Sequence, residues 1–86
     1  MKKSIFTREY QVLLQVLHEA REKAGVTQVE LASRLGRSQS FVSKCERGER
    51  RLDVMQFREV CHALGTTLPK IITKFERRLA KDRKKN

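Results

Sequence analysis

The chain has 86 residues, which is enough for one hydrophobic core but not for two. Twenty lysines and arginines against ten aspartates and glutamates give a formal net charge of +10, which favours a polyanionic partner over a surface that serves solubility alone. Aromatic residues make up 6% of the chain, which argues against an aromatic-rich ligand cleft, and the absence of a run of about 18 apolar residues predicts a cytoplasmic protein without a membrane span.

The first predicted helix spans roughly Thr7 to Ala24, because apolar residues recur in it at intervals of three and four residues. The stripe expected to face the core consists of Tyr10, Leu13, Leu14, Leu17, Ala20 and Ala24. The second helix begins at a capping box, in which the Thr27 hydroxyl accepts from the amide of Glu30 and the Glu30 carboxylate accepts from the amide of Thr27. Val26 and Leu31 add a hydrophobic staple to this helix start.

A third helix is predicted from Gln39 to Arg47, with Ser38 as its N-cap. Only Gly36 and Arg37 separate this N-cap from the second helix. Each of the four glycines follows a helical pattern and is expected to end a helix, namely Gly25, Gly36, Gly48 and Gly65. Because no strand-like alternation lies between them, we predict an all-helical fold.

Two more helices complete the predicted chain. Asp53 and Gln56 form a second capping box, which opens a helix that runs to about Leu64. The last helix follows Thr67 and carries an apolar stripe of Leu68, Ile71, Ile72, Phe75 and Leu79. This stripe either completes the core of one chain or forms a dimer face. Residues 80–86 have almost nothing to bury and are expected to fray.

The second and third helices together have the pattern of a helix-turn-helix unit, in which one helix braces the other against a DNA groove. Such a unit needs a small residue where the helices touch, which Ala32 supplies, and a turn residue that tolerates a positive φ, which Gly36 supplies. The residues expected on the inward faces are Leu31, Leu35, Val42 and Cys45.

Three stretches carry a more specific pattern, and they read Thr27-Gln28-Val29-Glu30-Leu31-Ala32, Leu35-Gly36-Arg37-Ser38-Gln39-Ser40-Phe41-Val42-Ser43 and Glu46-Arg47-Gly48. In residue types and spacing they resemble the Cro/cI-type helix-turn-helix family, the phage-repressor-like or xenobiotic-response-element family. The resemblance covers about Leu13 to Leu68. It implies a lambda-repressor-like bundle of four to five helices that binds double-stranded DNA. We therefore expect a single domain over 1–86, with the helix-turn-helix motif at 28–47 and a last helix with a basic tail at 69–86.

The resemblance also implies which residues contact DNA. Bases would be read by Gln39, Ser40 and Lys44, and a glutamine amide suits a bidentate contact with adenine. Backbone phosphates would be bound by Gln28, Arg37, Ser38, Ser43, Arg47, Arg50 and Arg51. Plainer interpretations stay open for some of these residues. Lys44 can contact a phosphate instead of guanine, and Gln28 can simply favour a helix start. Ser43, Arg50 and Arg51 can be ordinary solvated surface.

Glu46 and Phe41 need separate interpretations. An acid that faces DNA would be repelled, so Glu46 is expected to turn inward and pair with Arg21, which matches the family position for that partner. Phe41 is a large ring at a position that is often polar in the family. It either contacts a thymine methyl group or packs on the domain, and the sequence leaves both open.

Neither a metal site nor an enzyme is expected. Cys45 and Cys61 lie far apart in the sequence and read as small buried hydrophobes. His18 and His62 lack metal-ligand spacing and have no evident acid partner for catalysis. We therefore expect no cofactor.

The sequence thus predicts a transcriptional regulator, and a repressor in particular, that reads the major groove with residues 39–47. We expect a homodimer, with 68–79 as its candidate contact, that sets two such helices about 34 Å apart on a pseudo-palindromic operator. The alternative is an antitoxin that binds DNA and also masks a partner protein. RNA binding is a third possibility, although the chain lacks paired aromatic residues for base stacking.

Overall fold

Five helices make up the computed structural model of the protein, which describes residues 7–85. Their bounds are α1 Arg8–Lys23, α2 Gln28–Leu35, α3 Gln39–Glu46, α4 Val54–Ala63 and α5 Leu68–Lys85. No strand occurs within the described range. The predicted all-helical bundle is therefore confirmed, while residues 1–6 and 86, the ends of the expected domain, lie outside the described residues.

Both predicted capping boxes are present. Thr27 Oγ1 accepts from the amide of Glu30 at 3.0 Å, and Glu30 Oε1 accepts from the amide of Thr27 at 2.9 Å. At the start of α4, Asp53 Oδ1 accepts from the amide of Gln56 at 2.8 Å, and Gln56 Oε1 accepts from the amide of Asp53 at 3.0 Å. These reciprocal bonds satisfy amides that have no partner inside the helix, which is why both boundaries follow from four-residue patterns.

The turn between α2 and α3 depends on Gly36. Its φ of +68° lies in the left-handed region, where an L side chain costs about 1–2 kcal/mol. This conformation lets the amide of Arg37 donate to the carbonyl of Ala32 at 2.9 Å and ends α2 within one residue. Since Ser38 then caps α3 through the amide of Phe41, at 3.2 Å, the two helices meet at a short, fixed corner.

The core consists of two neighbouring groups of buried side chains. The larger group joins α1, α2, α3 and α4 and contains Leu17, Val26, Leu31, Ala32, Val42, Val60 and Leu64. The smaller group contains Val16, Cys61 and Ile71 and lies where α1, α4 and α5 meet. Both cysteines are free and buried, and burial raises the pKa of the Cys61 thiol to about 11. The two thiols therefore act as small apolar side chains, as predicted.

The predicted core stripe of α1 is incomplete. Val12 and Val16 are 0% and 2% exposed, although neither belongs to that stripe, whereas Ala24 is exposed. The reason is that α1 packs against α5 as well as against the larger core group. More than one side of α1 is therefore buried. Ala24 is the C-cap at the end of the helix and lies beyond this contact.

The prediction that the chain frays after Leu79 is wrong for residues 80–85, because α5 continues to Lys85. Two ion pairs join the second half of α5 to α1, with Arg8 Nη2 2.7 Å from Asp82 Oδ2 and Arg78 Nη2 2.7 Å from Glu19 Oε1. The apolar stripe of α5 is divided. Its buried members are Ile71 and Leu79, and its half-buried members are Leu68, Ile72 and Phe75. Within residues 7–85, none of the helices combines the length and the apolar character that a membrane span requires.

Candidate nucleic-acid interface

One side of α3 is exposed while the other forms part of the core. Val42 and Cys45 are 3% and 6% exposed and anchor the helix from within. The expected base readers project from the opposite side, where Gln39, Ser40 and Lys44 are all exposed. A helical period of 3.6 residues accounts for this division, because positions 40 and 44 are one turn apart and lie away from positions 42 and 45.

The side chain of Gln39 is held by a chain of hydrogen bonds that begins in α2. Gln39 Nε2 donates to Gln28 Oε1 at 3.3 Å, and Gln28 Nε2 donates to Glu46 Oε1 at 2.9 Å. A glutamine amide has two N–H donors and one carbonyl acceptor. Gln39 therefore keeps Oε1 and one N–H for a further partner, and Gln28 also keeps one N–H.

Glu46 is the centre of this network. Arg21 Nε donates to Glu46 Oε2 at 2.6 Å, and Arg21 Nη1 donates to the carbonyl of Val26 at 2.8 Å. The two charged side chains are 12% and 13% exposed, so this pair is largely shielded from water. Burial alone would raise the pKa of the Glu46 carboxyl, but the hydrogen bonds from Arg21 and Gln28 outweigh it and hold the pKa below its ordinary value. Glu46 thus faces α1 and α2.

His18 also belongs to the network, which the sequence did not predict. Its Nδ1 lies 3.3 Å from Glu46 Oε1, and its Nε2 lies 3.2 Å from Glu22 Oε2. The expectation that His18 has no acid partner is therefore wrong. Glu22 follows one helical turn later, a spacing visible in the sequence, whereas Glu46 comes from a different helix.

The four arginines expected to bind phosphates have different surroundings. Arg47 Nε lies 2.9 Å from Glu49 Oε2, and Arg47 Nη1 donates to Ser43 Oγ. Phosphate binding by Arg47 would therefore exchange an existing carboxylate partner. The guanidinium carbon of Arg51 lies 4.3 Å from the centre of the Tyr10 ring. Those of Arg37 and Arg50 both lie over the ring of Phe41.

Phe41 itself packs on the domain. Its ring is half-buried against the larger core group, so the structure places it on the flank of α3 and apart from the exposed residues expected to read bases. Ser38, the N-cap of this helix, already accepts one hydrogen bond through its hydroxyl oxygen and keeps its proton for another partner. Among residues 7–85, no group of three or more histidine, cysteine, aspartate or glutamate side chains is arranged to hold a metal ion.

Comparisons with known proteins agree with this architecture. A family model described as "Helix-turn-helix domain" matches residues 12–70. A curated relative from Sinorhizobium fredii, the uncharacterized HTH-type transcriptional regulator y4dJ, is 38% identical over 53 residues, which are 62% of this chain and 69% of that protein. The family model therefore spans α2 and α3.

Two solved structures are similar over most of the chain. An XRE-family like protein from Pseudomonas syringae pv. tomato has a TM-score of 0.76 and 55% identity, and the match covers 80% of this chain and 84% of that one. The clp gene regulator ClgR from Corynebacterium glutamicum has a TM-score of 0.79 and 26% identity, with 92% and 84% covered. These likenesses extend from α1 into α5, beyond the helix-turn-helix unit.

Proposed function

The chain belongs to the Cro/cI-type, or XRE-type, helix-turn-helix family of DNA-binding transcriptional regulators, which are not enzymes, and we propose that it is a sequence-specific repressor that reads the major groove with α3. In this proposal Gln39, Ser40 and Lys44 contact base edges. In the same proposal the repressor acts by occupying its operator.

The observation that carries the proposal is the held side chain of Gln39. The bond to Gln28 leaves Gln39 Oε1 free to accept from adenine N6 and one N–H free to donate to adenine N7. Because Gln28 is itself bonded to Glu46, the amide of Gln39 is oriented before DNA arrives. A preorganised reader loses less conformational entropy on binding than a mobile one.

Phosphate contacts surround this reader. Gln28 retains one amide N–H at the amino end of α2, where the helix dipole also favours an anion. Ser38 and Ser43 would donate hydroxyl protons. Exposed cations extend from the turn before α3 to the loop after it, and they are Arg37, Arg47, Arg50 and Arg51. The formal charge of +10 supports the same partner, because phosphate neutralisation supplies most non-specific affinity for DNA.

We also propose a homodimer, so that two copies of α3 enter successive major grooves of a pseudo-palindromic operator. Ile72 and Phe75 are the best candidates for its contact. They are half-buried in one chain, whereas Ile71 and Leu79 on the same helix are already used in the core.

The decisive experiment is selection of bound sequences from random duplex DNA, combined with measurement of the oligomeric state. Enrichment of a palindrome together with a dimer supports the proposal. The variant Gln39→Ala should then lose about 1–3 kcal/mol of discrimination at one base pair. No enrichment would contradict a sequence-specific repressor and favour a protein-directed role such as that of an antitoxin. Equal losses on operator and random DNA would contradict base reading by Gln39.

A further inference from the structure

One aromatic ring contacts two arginines that come from opposite ends of α3. The guanidinium carbon of Arg37 lies 4.4 Å from the centre of the Phe41 ring, and that of Arg50 lies 5.1 Å from the same point. Arg37 belongs to the turn before α3, and Arg50 belongs to the loop after it. Both distances are within the range in which the negative face of a ring attracts a cation.

The ring is a fixed support. Phe41 lies in the first turn of α3, where its amide donates to the hydroxyl of Ser38, and its side chain packs against the larger core group. The two arginines lie at the surface, and among residues 7–85 neither has a carboxylate partner. Arg47, which lies between them in the sequence, is instead paired with Glu49.

The electrostatics of Cys45 agree with these two ring contacts. Burial raises the pKa of the Cys45 thiol, and the positive charges of Arg50 and Arg37 act against this rise. Cys45 is one turn after Phe41 on α3, so both guanidinium groups act on the same flank of the helix. The two like charges lie within 5.1 Å of one ring centre, and an anion bound between them would offset their mutual repulsion.

We propose that Phe41 is a positioning residue, whose ring holds Arg37 and Arg50 as a two-arginine site for backbone phosphate on one flank of α3. The inference rests on the proposed DNA-binding function and adds to it the role of the Phe41 ring in holding two phosphate-binding side chains. The ring limits the conformations of two long side chains before binding, so less entropy is lost when phosphate is bound. The carboxylate-free guanidinium groups then satisfy their N–H donors on phosphate oxygens.

A double-mutant cycle tests the coupling on duplex DNA that carries the selected operator and on random duplex. Phe41→Leu keeps an apolar side chain and should lower the affinity for both DNAs about tenfold. In the R37A/R50A background the same change should cost less than about twofold, because the ring has nothing left to position. Phe41→Tyr restores the ring and should recover most of the loss. Tyr10→Leu, which removes the ring beneath Arg51, should show no coupling to R37A/R50A.

Each contrary outcome has a distinct meaning. An equal loss from Phe41→Leu in both backgrounds would show that the ring acts through packing alone. A loss confined to the operator would show that it contacts a base. If R37A/R50A binds as tightly as the unmodified protein, the two-arginine site does not exist, although the proposed function stands. If the unmodified protein binds no duplex DNA, both fail.

A measurement on the unmodified protein keeps the inference testable even if Phe41→Leu does not fold. NMR order parameters of the arginine Nε–H groups report how far each side chain is restrained. In the absence of DNA, those of Arg37 and Arg50 should exceed that of Arg58, which is exposed on α4 and contacts no ring among the described residues. Equal mobility of all three would overturn the proposed positioning role.

Discussion

Arg21 Nε lies 2.6 Å from Glu46 Oε2, and this contact joins the second half of α1 to the last residue of α3. Both side chains are nearly shielded from solvent, and the carboxylate raises the pKa of the Arg21 guanidinium. Because Glu46 also accepts from Gln28, which in turn accepts from Gln39, one ion pair in the interior is linked to the exposed side of α3. The residues that form this buried pair therefore also hold the side chain that we propose as a base reader.

Removing one member of this pair should be costly. Arg21→Ala leaves the Glu46 carboxylate largely buried without its main partner, and it is expected to lower the free energy of unfolding by about 3 kcal/mol. Denaturant unfolding of the single variants Arg21→Ala and Glu46→Gln and of the double variant measures the coupling between the two residues.

The exposed pair of Arg47 and Glu49 serves as the matched control, since its side chains are 53% and 55% exposed. Water screens such a pair, so Glu49→Gln should leave the unfolding free energy nearly unchanged. A similar loss from Glu49→Gln and from Arg21→Ala would contradict the special position of the buried pair.

The pH dependence of stability should reveal the lowered pKa of Glu46. A carboxyl group whose pKa is lower in the folded state stabilises the fold at pH values above its unfolded value and loses this contribution as the pH falls through the folded value. The stabilisation is therefore full at neutral pH and is lost below about 4.5, the ordinary value. The free energies of unfolding of the protein and of Glu46→Gln should be measured between about pH 7 and about pH 3. The difference between them should shrink as the pH falls. A constant gap would contradict this assignment.

Gln28 should influence base discrimination without being the main base reader. Gln28→Ala removes the acceptor for Gln39 Nε2, so the amide of Gln39 becomes free to rotate. We expect lower discrimination at the base pair read by Gln39, by about 1 kcal/mol, together with a modest loss of affinity for all DNA. Binding titrations with single-base operator variants measure both effects. If discrimination is unchanged while affinity falls uniformly, Gln28 is a phosphate ligand only.

The sequence predicts the helix boundaries well because local contacts determine them. Thr27 and Glu30 are three residues apart, as are Asp53 and Gln56, so each capping box is visible in one short stretch. The turn at Gly36 is equally local, since it depends on the conformation of one residue. Element types and order follow from such patterns.

Contacts between distant residues account for what the sequence did not predict. Val16 is buried because it packs against Ile71 of α5 and Cys61 of α4, which a stripe on α1 alone does not indicate. The extension of α5 involves Arg8 and Asp82, which are 74 positions apart. The stacking of Arg37 on Phe41 depends on a side-chain direction, which residue spacing leaves undetermined.

The contribution of α5 to the core of a single chain leads to the last prediction. Leu79 lies in the second half of α5, which spans Leu68–Lys85. Its side chain is nevertheless only 8% exposed. Leu79→Ala should therefore lower the free energy of unfolding by about 2–4 kcal/mol. Met55→Ala removes a long apolar side chain that is 62% exposed and should change stability by less than about 0.5 kcal/mol.

Protein concentration separates this core role from a dimer role. A loss caused by a cavity in one chain is the same at every concentration, whereas a loss through a weakened dimer contact shrinks as the concentration rises. Leu79→Ala should show the first behaviour, and Phe75→Ala, whose side chain is half-buried, should show part of the second. If Leu79→Ala costs no more than Met55→Ala, the second half of α5 does not pack on the core, and the apolar stripe of this helix would then serve the dimer alone.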